Sequence, residues 1–186
     1  EVAEGLGVEI YPGFSAAEVL FDDNKKVKGV ATGDMGVSRD GSAKDSWESG
    51  MELHAKYTLF SEGTRGSLSK FLIENFNLSE NSDFQKYAIG LKELWEINEE
   101  NFDDGLVEHS MGWPLSDETK GGSFLYHFDK NLVSIGYVIH LNYTNPYVSP
   151  FDEFQQFKTH PSVKKVLKGG KRISYGARAI TTGGYQ

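Results

Sequence analysis

Short apolar stretches alternate with turn residues through the first part of the chain. Residues 8–11 and 17–21 are predicted strands on either side of a Pro-Gly turn, and the segment KVKGVATGD predicts a third strand. Residues 35–50 are rich in Gly, Ser, Asp and Lys, which predicts a loop or a long hairpin. This region is therefore expected to consist of short strands joined by turns.

A strand, a glycine-containing turn and a helix are predicted next. Residues 52–60 read as the strand and residues 61–66 as the turn. The helix that follows would present Leu68, Phe71 and Leu72 on one face, because residues three and four positions apart lie together on a helix. In open α/β sheets, ligands bind at the carboxyl ends of strands that lead into helices in this way.

The second half is richer in strands, and a polar run, SENSDF, separates it from the first. β-Branched and aromatic residues, interrupted by Asp, Asn and Gly, predict an antiparallel sheet with one packed face. The predicted strands are residues 86–95, 106–110, 123–128 and 132–141. We place a domain boundary after Leu78, so that residues 1–78 and 79–186 form two parts of an α+β protein.

Three phenylalanines predict a helix after the last of these strands. Phe151, Phe154 and Phe157 recur every three residues and share one side of the helix, which His160 and Pro161 would end. That side either packs on the sheet or dips into a membrane surface. The pattern alone favours packing on the sheet.

Composition narrows the classes of function. The 186 residues include 27 acidic and 19 basic side chains, a formal charge of −8, which disfavours nucleic acid as a partner. No apolar run reaches the length of a membrane span, so any membrane contact is expected to be peripheral. There is no cysteine, and the five histidines are scattered, so no metal site is predicted.

Both ends of the chain are expected to be internal to a longer protein. The opening residues, EVAEGLG, predict the last turn of a helix, and the final residues, Gly183 to Gln186, directly follow a strong strand signal. No nucleophile motif such as Gly-x-Ser-x-Gly occurs, so no catalytic side chain is predicted.

Two short motifs could bind a ligand. Gly121 and Gly122 precede an apolar strand and leave the backbone uncovered, which suits either a hairpin turn or the docking of a flat, carbonyl-bearing molecule. Glu62 and Gly63 would place a carboxylate and a free backbone N–H at the end of a strand. The alternative there is a solvated Glu62 paired with Arg65.

Eight segments, spread in order over essentially the whole chain, carry a resemblance to a known family. They are GVEIYPGFSAAEVLFD, VKGVATGDMG, GMELHAKYTLFSEG, RGSLSK, GLKELWE, GGSFLYH, NPYVSPFDEFQQFKTHPS and GGKRISYGARA. Together they resemble electron-transfer flavoprotein:ubiquinone oxidoreductase, a family of flavoproteins that pass electrons from reduced electron-transfer flavoprotein to ubiquinone.

The resemblance implies a membrane-associated enzyme that carries FAD and a 4Fe-4S cluster. It would lie on the mitochondrial inner membrane or the bacterial cytoplasmic membrane. Residues 1–78 would belong to its FAD-binding domain, strands plus one helix, and residues 79–186 to its ubiquinone-binding domain, an antiparallel sheet with a packed helix. The Gly-rich pyrophosphate loop and the cysteine-rich cluster domain are missing from this chain, so the fragment alone is expected to be inactive.

The resemblance also implies a quinone site. The family's backbone contact to the quinone falls on Gly121 and Gly122, and apolar residues nearby would bury the isoprenoid tail. Lys120 stands beside the pair where the family usually carries Tyr, so it would lie at the pocket rim. The expected tail contacts are Trp113, Phe124 and Leu125.

Glu62 and Gly63 match the family's contact to FAD, with Glu62 where the wider flavoprotein group usually has Asp. Two alternatives stay open at this point. One is a fragment of another FAD-dependent hydroxylase or of a polyprenyl reductase. The other is a non-catalytic module that binds quinone or lipid.

Overall fold

The computed structural model describes residues 2–183. Residues 1 and 184–186, which include part of the chain ends discussed above, lie outside the described residues. The chain forms two compact units, of which one ends at Glu80 and the other begins at Asn81. The assignment of residues 1–78 to a flavin domain and of residues 79–186 to a quinone domain stays a prediction.

The first unit is built from short strands and two helices. β1 and β5 pair antiparallel with the two edges of β2, and β3 and β4 form a separate hairpin. Residues 35–50, which were predicted as a loop or a long hairpin, therefore contain a hairpin. The elements are α1 (Val2–Gly5), β1 (Ala16–Phe21), β2 (Val27–Thr32), β3 (Met35–Val37), β4 (Ala43–Glu48), β5 (Glu52–His54) and α2 (Ser67–Asn75).

Helix α2 supplies much of the core of this unit. Leu68 and Leu72 are buried from one face of the helix and cluster with Val19 of β1. The ring of Phe71 packs edge-on against Phe21, with its centroid 6.2 Å away. The predicted amphipathic helix is confirmed, because these spacings place the apolar side chains against the sheet.

Two strand predictions in this unit need correction. Residues 8–11 form no strand, and β5 covers only Glu52–His54 of the predicted 52–60. An extended segment becomes a strand only when a neighbour pairs with its backbone. Within the described residues, β2 pairs with β5 over three positions, and no strand lies beside residues 8–11.

The second unit is a five-stranded antiparallel sheet in the order β10-β6-β9-β8-β7. Each of the four predicted strands is present within a few residues of its expected ends. A fifth, β10, pairs with β6 along its whole length. The bounds are β6 (Lys86–Glu96), β7 (Val107–Met111), β8 (Gly121–Phe128), β9 (Leu132–His140) and β10 (Lys171–Thr182), with a 3₁₀ turn at Glu99–Asn101. The predicted mixed α+β class is confirmed.

Two helices cover one face of this sheet. α3 (Pro150–Phe157) begins at Ser149, whose side chain accepts a hydrogen bond from the Asp152 N–H. Phe154 and Phe157 are buried in the main core, whereas Phe151 is 58% exposed. The core-facing interpretation of the helix is therefore confirmed for two of its three phenylalanines.

Helix α4 (Pro161–Leu167) was not predicted. Proline fits the first turn of a helix, so Pro161 begins a new helix directly after α3 has ended. Val163 and Leu167, one turn apart, are buried against the same core. None of the described helices is long and apolar enough to cross a membrane.

A buried carboxylate links α3 to two strands. Both oxygens of Glu93 on β6 accept hydrogen bonds from Lys158 Nζ at the end of α3, at 2.9 Å. Glu93 Oε1 also accepts one from Arg172 on β10 at 3.0 Å, and Oε2 one from Trp95 Nε1 at 2.8 Å. Burial raises the pKa of Glu93, but these hydrogen bonds outweigh burial and hold the pKa below its ordinary value.

Candidate functional site

The glycine pair lies inside strand β8 and is not a turn. Gly121 pairs with Ile139 of β9, and Gly122 pairs with Val138. On the other side of β8, the pairing with β7 stops at Met111 and Gly122. The hairpin-turn interpretation is therefore wrong, because the chain has already entered the sheet at Gly121.

The Gly121 N–H points away from β9. The His140 N–H donates to the Lys120 carbonyl at 2.9 Å, so residue 120 directs its backbone groups toward β9. Successive residues of a strand direct these groups to alternate sides, so those of Gly121 point toward β7. Because β7 has ended at Met111, the Gly121 N–H faces the place where β7 leaves the sheet.

Neighbouring atoms occupy the space where side chains would project from the two glycines. A Cβ on Gly121 would lie 2.4 Å from Leu115 Cδ1 and 2.5 Å from the Val138 carbonyl oxygen. A Cβ on Gly122 would lie 2.6 Å from the Ser110 carbonyl oxygen. Glycine is needed at both positions so that the strands and the Leu115 side chain can approach.

The predicted site residues divide between the two faces of the sheet. Gly121 and Leu125 lie on the face that α3 and α4 cover, and Leu125 is buried in the core there. Gly122 and Phe124 lie on the opposite face, where the Phe124 ring stacks on Tyr126 at 4.9 Å. The sequence grouped these residues by proximity along the chain, whereas the pleat separates them.

Trp113 and Leu125 meet in one pocket on the helix-covered face. The pocket has a volume of about 200 Å³ and lies between β7, β8 and the junction of α3 with α4. Its lining residues are Glu108, His109, Ser110, Met111, Trp113, Ser123, Leu125, Phe157, His160, Ser162 and Val163. Five of these side chains are apolar and six carry hydroxyl, imidazole or carboxylate groups, so the lining suits a small molecule that has both apolar and polar parts.

Polar contacts organise the walls of this pocket. Ser110 Oγ and Ser123 Oγ are 2.6 Å apart across β7 and β8. The Trp113 ring packs against the His160 ring with centroids 5.4 Å apart, and His160 Nδ1 is 2.7 Å from Ser162 Oγ. No local motif in the sequence connects these serines with His160, so they were not among the predicted site residues.

A buried tyrosine holds the loop that carries Trp113. The Tyr137 hydroxyl on β9 donates to the Gly112 carbonyl at 2.9 Å, and the Leu115 N–H donates to the same oxygen at 3.1 Å. Burial raises the pKa of the Tyr137 phenol to about 12, so it stays protonated as a donor. Lys120, at the other end of the loop, is exposed.

Glu62 caps helix α2 instead of pairing with Arg65. Its carboxylate accepts hydrogen bonds from the Leu68 N–H at 3.3 Å and from the N–H and hydroxyl of Ser69 at 2.6 and 2.7 Å. These bonds, the Ser69 hydroxyl first, lower the pKa of Glu62. Gly63 has φ of +80° and no atom near its missing side chain.

These two residues fit part of a flavin nucleotide. Glu62 is exposed and offers an acceptor for a hydroxyl, and the backbone of Gly63 is open to a ligand. The carboxylate places negative charge at the start of α2, so this helix end suits a hydroxyl better than a phosphate. An iron–sulfur cluster has no fit here, because the chain contains no cysteine.

The sequence is similar to those of a bacterial and a human oxidoreductase. It is 57% identical over 183 residues to electron transfer flavoprotein-ubiquinone oxidoreductase of Pseudomonas aeruginosa, covering 98% of this chain and 33% of that protein. It is 56% identical over 188 residues to the mitochondrial protein of the same name from Homo sapiens, covering 100% of this chain and 30% of that protein. The chain thus spans about a third of the length of these relatives.

The fold is similar to that of distant flavin-dependent enzymes. A triple mutant of the flavin-dependent brominase Bmp2 aligns over 97% of this chain and 41% of its own, with a TM-score of 0.55 and 15% identity. The halogenase PltM aligns over 97% of this chain and 34% of its own, with a TM-score of 0.51 and 13% identity. At these identities the likeness shows the fold alone.

The family model described as ETF-QO, ubiquinone-binding matches residues 87–180. This range contains β7, β8, β9, both helices and the pocket, and all of β6 and β10 except Lys86 and the last two residues of β10. The chain therefore belongs to the ETF-QO ubiquinone-binding family.

Proposed function

We propose that this chain is the middle part of a membrane-associated oxidoreductase that passes electrons from reduced electron-transfer flavoprotein to ubiquinone. The second unit binds the quinone, and the first unit contributes part of an FAD site. The names of the relatives and the family match support this assignment. Because the chain spans about a third of those relatives, the fragment alone is expected to be inactive.

The observation that carries the proposal is the pocket that Trp113 and Leu125 share within the matched range. Its apolar wall, which includes Phe157 and Val163, suits an isoprenoid tail or a flat ring. Each Å² of apolar surface buried there contributes about 25 cal/mol to binding. The indole of Trp113 is 46% exposed, which leaves surface for a ligand to cover.

The Gly121 N–H provides a donor for a quinone carbonyl next to this pocket. It points to the place where β7 has ended, and a neutral hydrogen bond there contributes about 1 kcal/mol. Gly122 faces the other side of the sheet, so we assign the backbone contact to Gly121 and the packing of the strands to Gly122. Phe124 lies on the Gly122 face and has no direct part in the pocket.

Glu62 and Gly63 would hold a hydroxyl-bearing part of FAD. When bound, FAD supplies the electron-transfer chemistry. Glu62 orients a ligand hydroxyl by accepting a hydrogen bond from it, and Gly63 lets the ligand approach the backbone. The 4Fe-4S cluster of the complete enzyme would take its ligands from outside this chain.

Peripheral contact with a membrane would bring the quinone to the pocket. Met111, which lines the pocket, is 87% exposed, and Trp113 stands beside it on the loop after β7. Apolar insertion of such side chains suits a chain whose charge of −8 repels anionic headgroups. The membrane would be the mitochondrial inner membrane or the bacterial cytoplasmic membrane.

The test compares two tryptophans of equal exposure in the longest natural polypeptide that contains this chain. Trp113→Ala removes a pocket wall, whereas Trp47→Ala removes a side chain that is 45% exposed on β4 in the other unit. We expect Trp113→Ala to weaken binding of a short-chain ubiquinone by about tenfold, measured by equilibrium dialysis. Flavin content should stay unchanged in both variants.

Trp47→Ala is expected to bind the quinone as the wild type does. Equal affinities of the two variants would contradict the placement of the site. A wild-type protein that binds no ubiquinone would refute the proposed function itself.

A further inference from the structure

Two serines form a hydrogen-bonded pair in the wall of the pocket. Ser110 on β7 and Ser123 on β8 are directly opposite in the register, and their hydroxyl oxygens are 2.6 Å apart. Each hydroxyl carries one proton, and their mutual bond uses one of the two. The serine that accepts this hydrogen bond keeps its own hydroxyl proton, which remains available to a ligand.

The pocket around this spare donor has an apolar side. Leu125, Phe157 and Val163 line it, and once a bound ligand excludes water there, the hydroxyl needs an acceptor on the ligand. Glu108, two residues before Ser110 on the same face of β7, adds negative charge to the lining. A neutral acceptor, such as a carbonyl oxygen, is therefore favoured over a carboxylate or a phosphate.

The pocket has an aromatic wall on which a flat ligand can stack. The rings of Trp113 and His160 meet there at an interplanar angle of 54°, and a planar ring can stack on either of them. At about 200 Å³ the pocket has room for a single ring and the start of a chain. A flat ring with a neutral carbonyl oxygen describes a quinone headgroup.

We infer that the Ser110–Ser123 pair positions the quinone ring by donating a hydrogen bond to one of its carbonyl oxygens. This inference rests on the proposed function. A para-quinone has two carbonyl oxygens on opposite sides of the ring, so the bond from Gly121 and the bond from the serine pair are compatible. Ser123 is two positions beyond Gly121 on β8, about 7 Å along the strand.

A set of alanine variants tests the shared donor in the longest natural polypeptide that contains the chain. In Ser110→Ala or Ser123→Ala alone, the remaining hydroxyl loses its partner and its proton can still reach the ligand. Each single variant should therefore bind a short-chain ubiquinone within about twofold of the wild type. The double variant has no hydroxyl left and should bind about five- to tenfold more weakly.

Two controls separate positioning from a general loss of structure. Ser134→Ala, at a buried serine on the opposite face of β9, should leave the affinity unchanged. A prenylated benzene without carbonyl oxygens should bind the double variant as well as the wild type, because it accepts no hydrogen bond. Thermal midpoint and flavin content are measured on every variant.

The outcomes distinguish this inference from the proposed function. If the wild type binds ubiquinone and the double variant binds it equally well, the serine pair has no positioning role and the proposed function stands. If one single variant loses as much affinity as the double variant, the shared donor is refuted. If the wild type binds no ubiquinone, the proposed function is refuted, and the role of the serine pair is refuted with it.

Discussion

At the scale of single residues, Gly121 has a packing requirement, to which the proposed quinone contact would add a binding one. The bare backbone suggested an approach for a ligand, but the side-chain space of this residue is taken by Leu115 and by the Val138 carbonyl. The proposed contact uses the N–H instead, which faces the side where β7 ends. The methyl space and the N–H lie in different directions from the same Cα.

Replacing Gly121 by alanine should therefore destabilise the protein. The added methyl would lie 2.5 Å from the Val138 carbonyl oxygen, and a backbone atom inside a sheet cannot move aside as a side chain can. We expect a loss of about 1 to 3 kcal/mol in the free energy of unfolding, measured by urea denaturation. Gly176→Ala on β10, with no atom within 4 Å of its added Cβ, is the matched control and should be close to neutral. Equal stabilities of the two variants would contradict the contact.

At the scale of elements, Glu93 determines how α3 is held against the sheet. Its side chain is 3% exposed and forms ion pairs with Lys158 at the end of α3 and with Arg172 of β10. Lys158 also lies over the rings of Trp95 and Phe154. Phe157 of α3 lines the pocket, so the ion pair that holds α3 against the sheet also helps to keep this wall of the pocket in place.

Glu93→Gln should destabilise the second unit by about 3 kcal/mol at neutral pH, because it leaves the Lys158 charge without its partner. The folded-state pKa of Glu93 is lowered, so its contribution is present above the unfolded pKa of about 4.3 and is lost as pH falls through the folded value. The stability difference between wild type and variant should therefore shrink below about pH 4. Urea denaturation at a series of pH values checks this.

Glu96→Gln on the same strand is the control for the loss of a charge. Glu96 is exposed, so its replacement should change stability little at any pH. A pH-independent difference between the wild type and Glu93→Gln would show that the ion pair is not its cause.

At the scale of the whole molecule, the two units have cores of very different size. Among the described residues, the first unit buries a cluster of Val19, Leu68 and Leu72. The second buries a cluster of twelve residues, of which Ile97 and Leu115 lie in connecting segments and the rest in the sheet and the helices. Burial of apolar surface is the main favourable term in folding, so the second unit should be the more stable.

Hydrogen exchange should resolve this difference. β9 pairs with a strand on both sides along most of its length, and β2 does so at residues 29–31, so amides at those positions are compared with amides of β9 and differ in the core beneath them. We expect the amides of β9 to exchange much more slowly than those of β2, measured by mass spectrometry of peptides. Equal protection of the two strands would mean that the units unfold together.

Much of the fold was predictable because it depends on local patterns. β-Branched and aromatic residues between turn residues indicated β6, β8 and β9, and the spacing of Leu68 and Leu72 indicated α2. Patterns of this kind report which side of an element faces a core, whatever it packs against. The unpaired segment 8–11 and the short β5 show the limit, since a strand also needs a neighbour that the local pattern does not reveal.

The candidate site was only partly predictable. The resemblance pointed to the region of Gly121, Trp113 and Leu125, and two of these three residues line one pocket. It grouped Gly122 and Phe124 with them, although adjacent residues of a strand point to opposite faces, because the predicted strand began only at residue 123 and the glycine pair was placed outside it. It also missed His160, which reaches the pocket from the junction between α3 and α4.

By itself the sequence determined most of the order of the elements, the core-facing sides of α2 and α3, and the family to which the chain belongs. Only the tertiary structure decided which neighbour each strand has and in which register. That register brings Ser110 opposite Ser123 and ends β7 one position short of Gly121. Contacts of this kind join segments that are distant along the chain, and the pairing of whole strands, not the residues' own preferences, determines them.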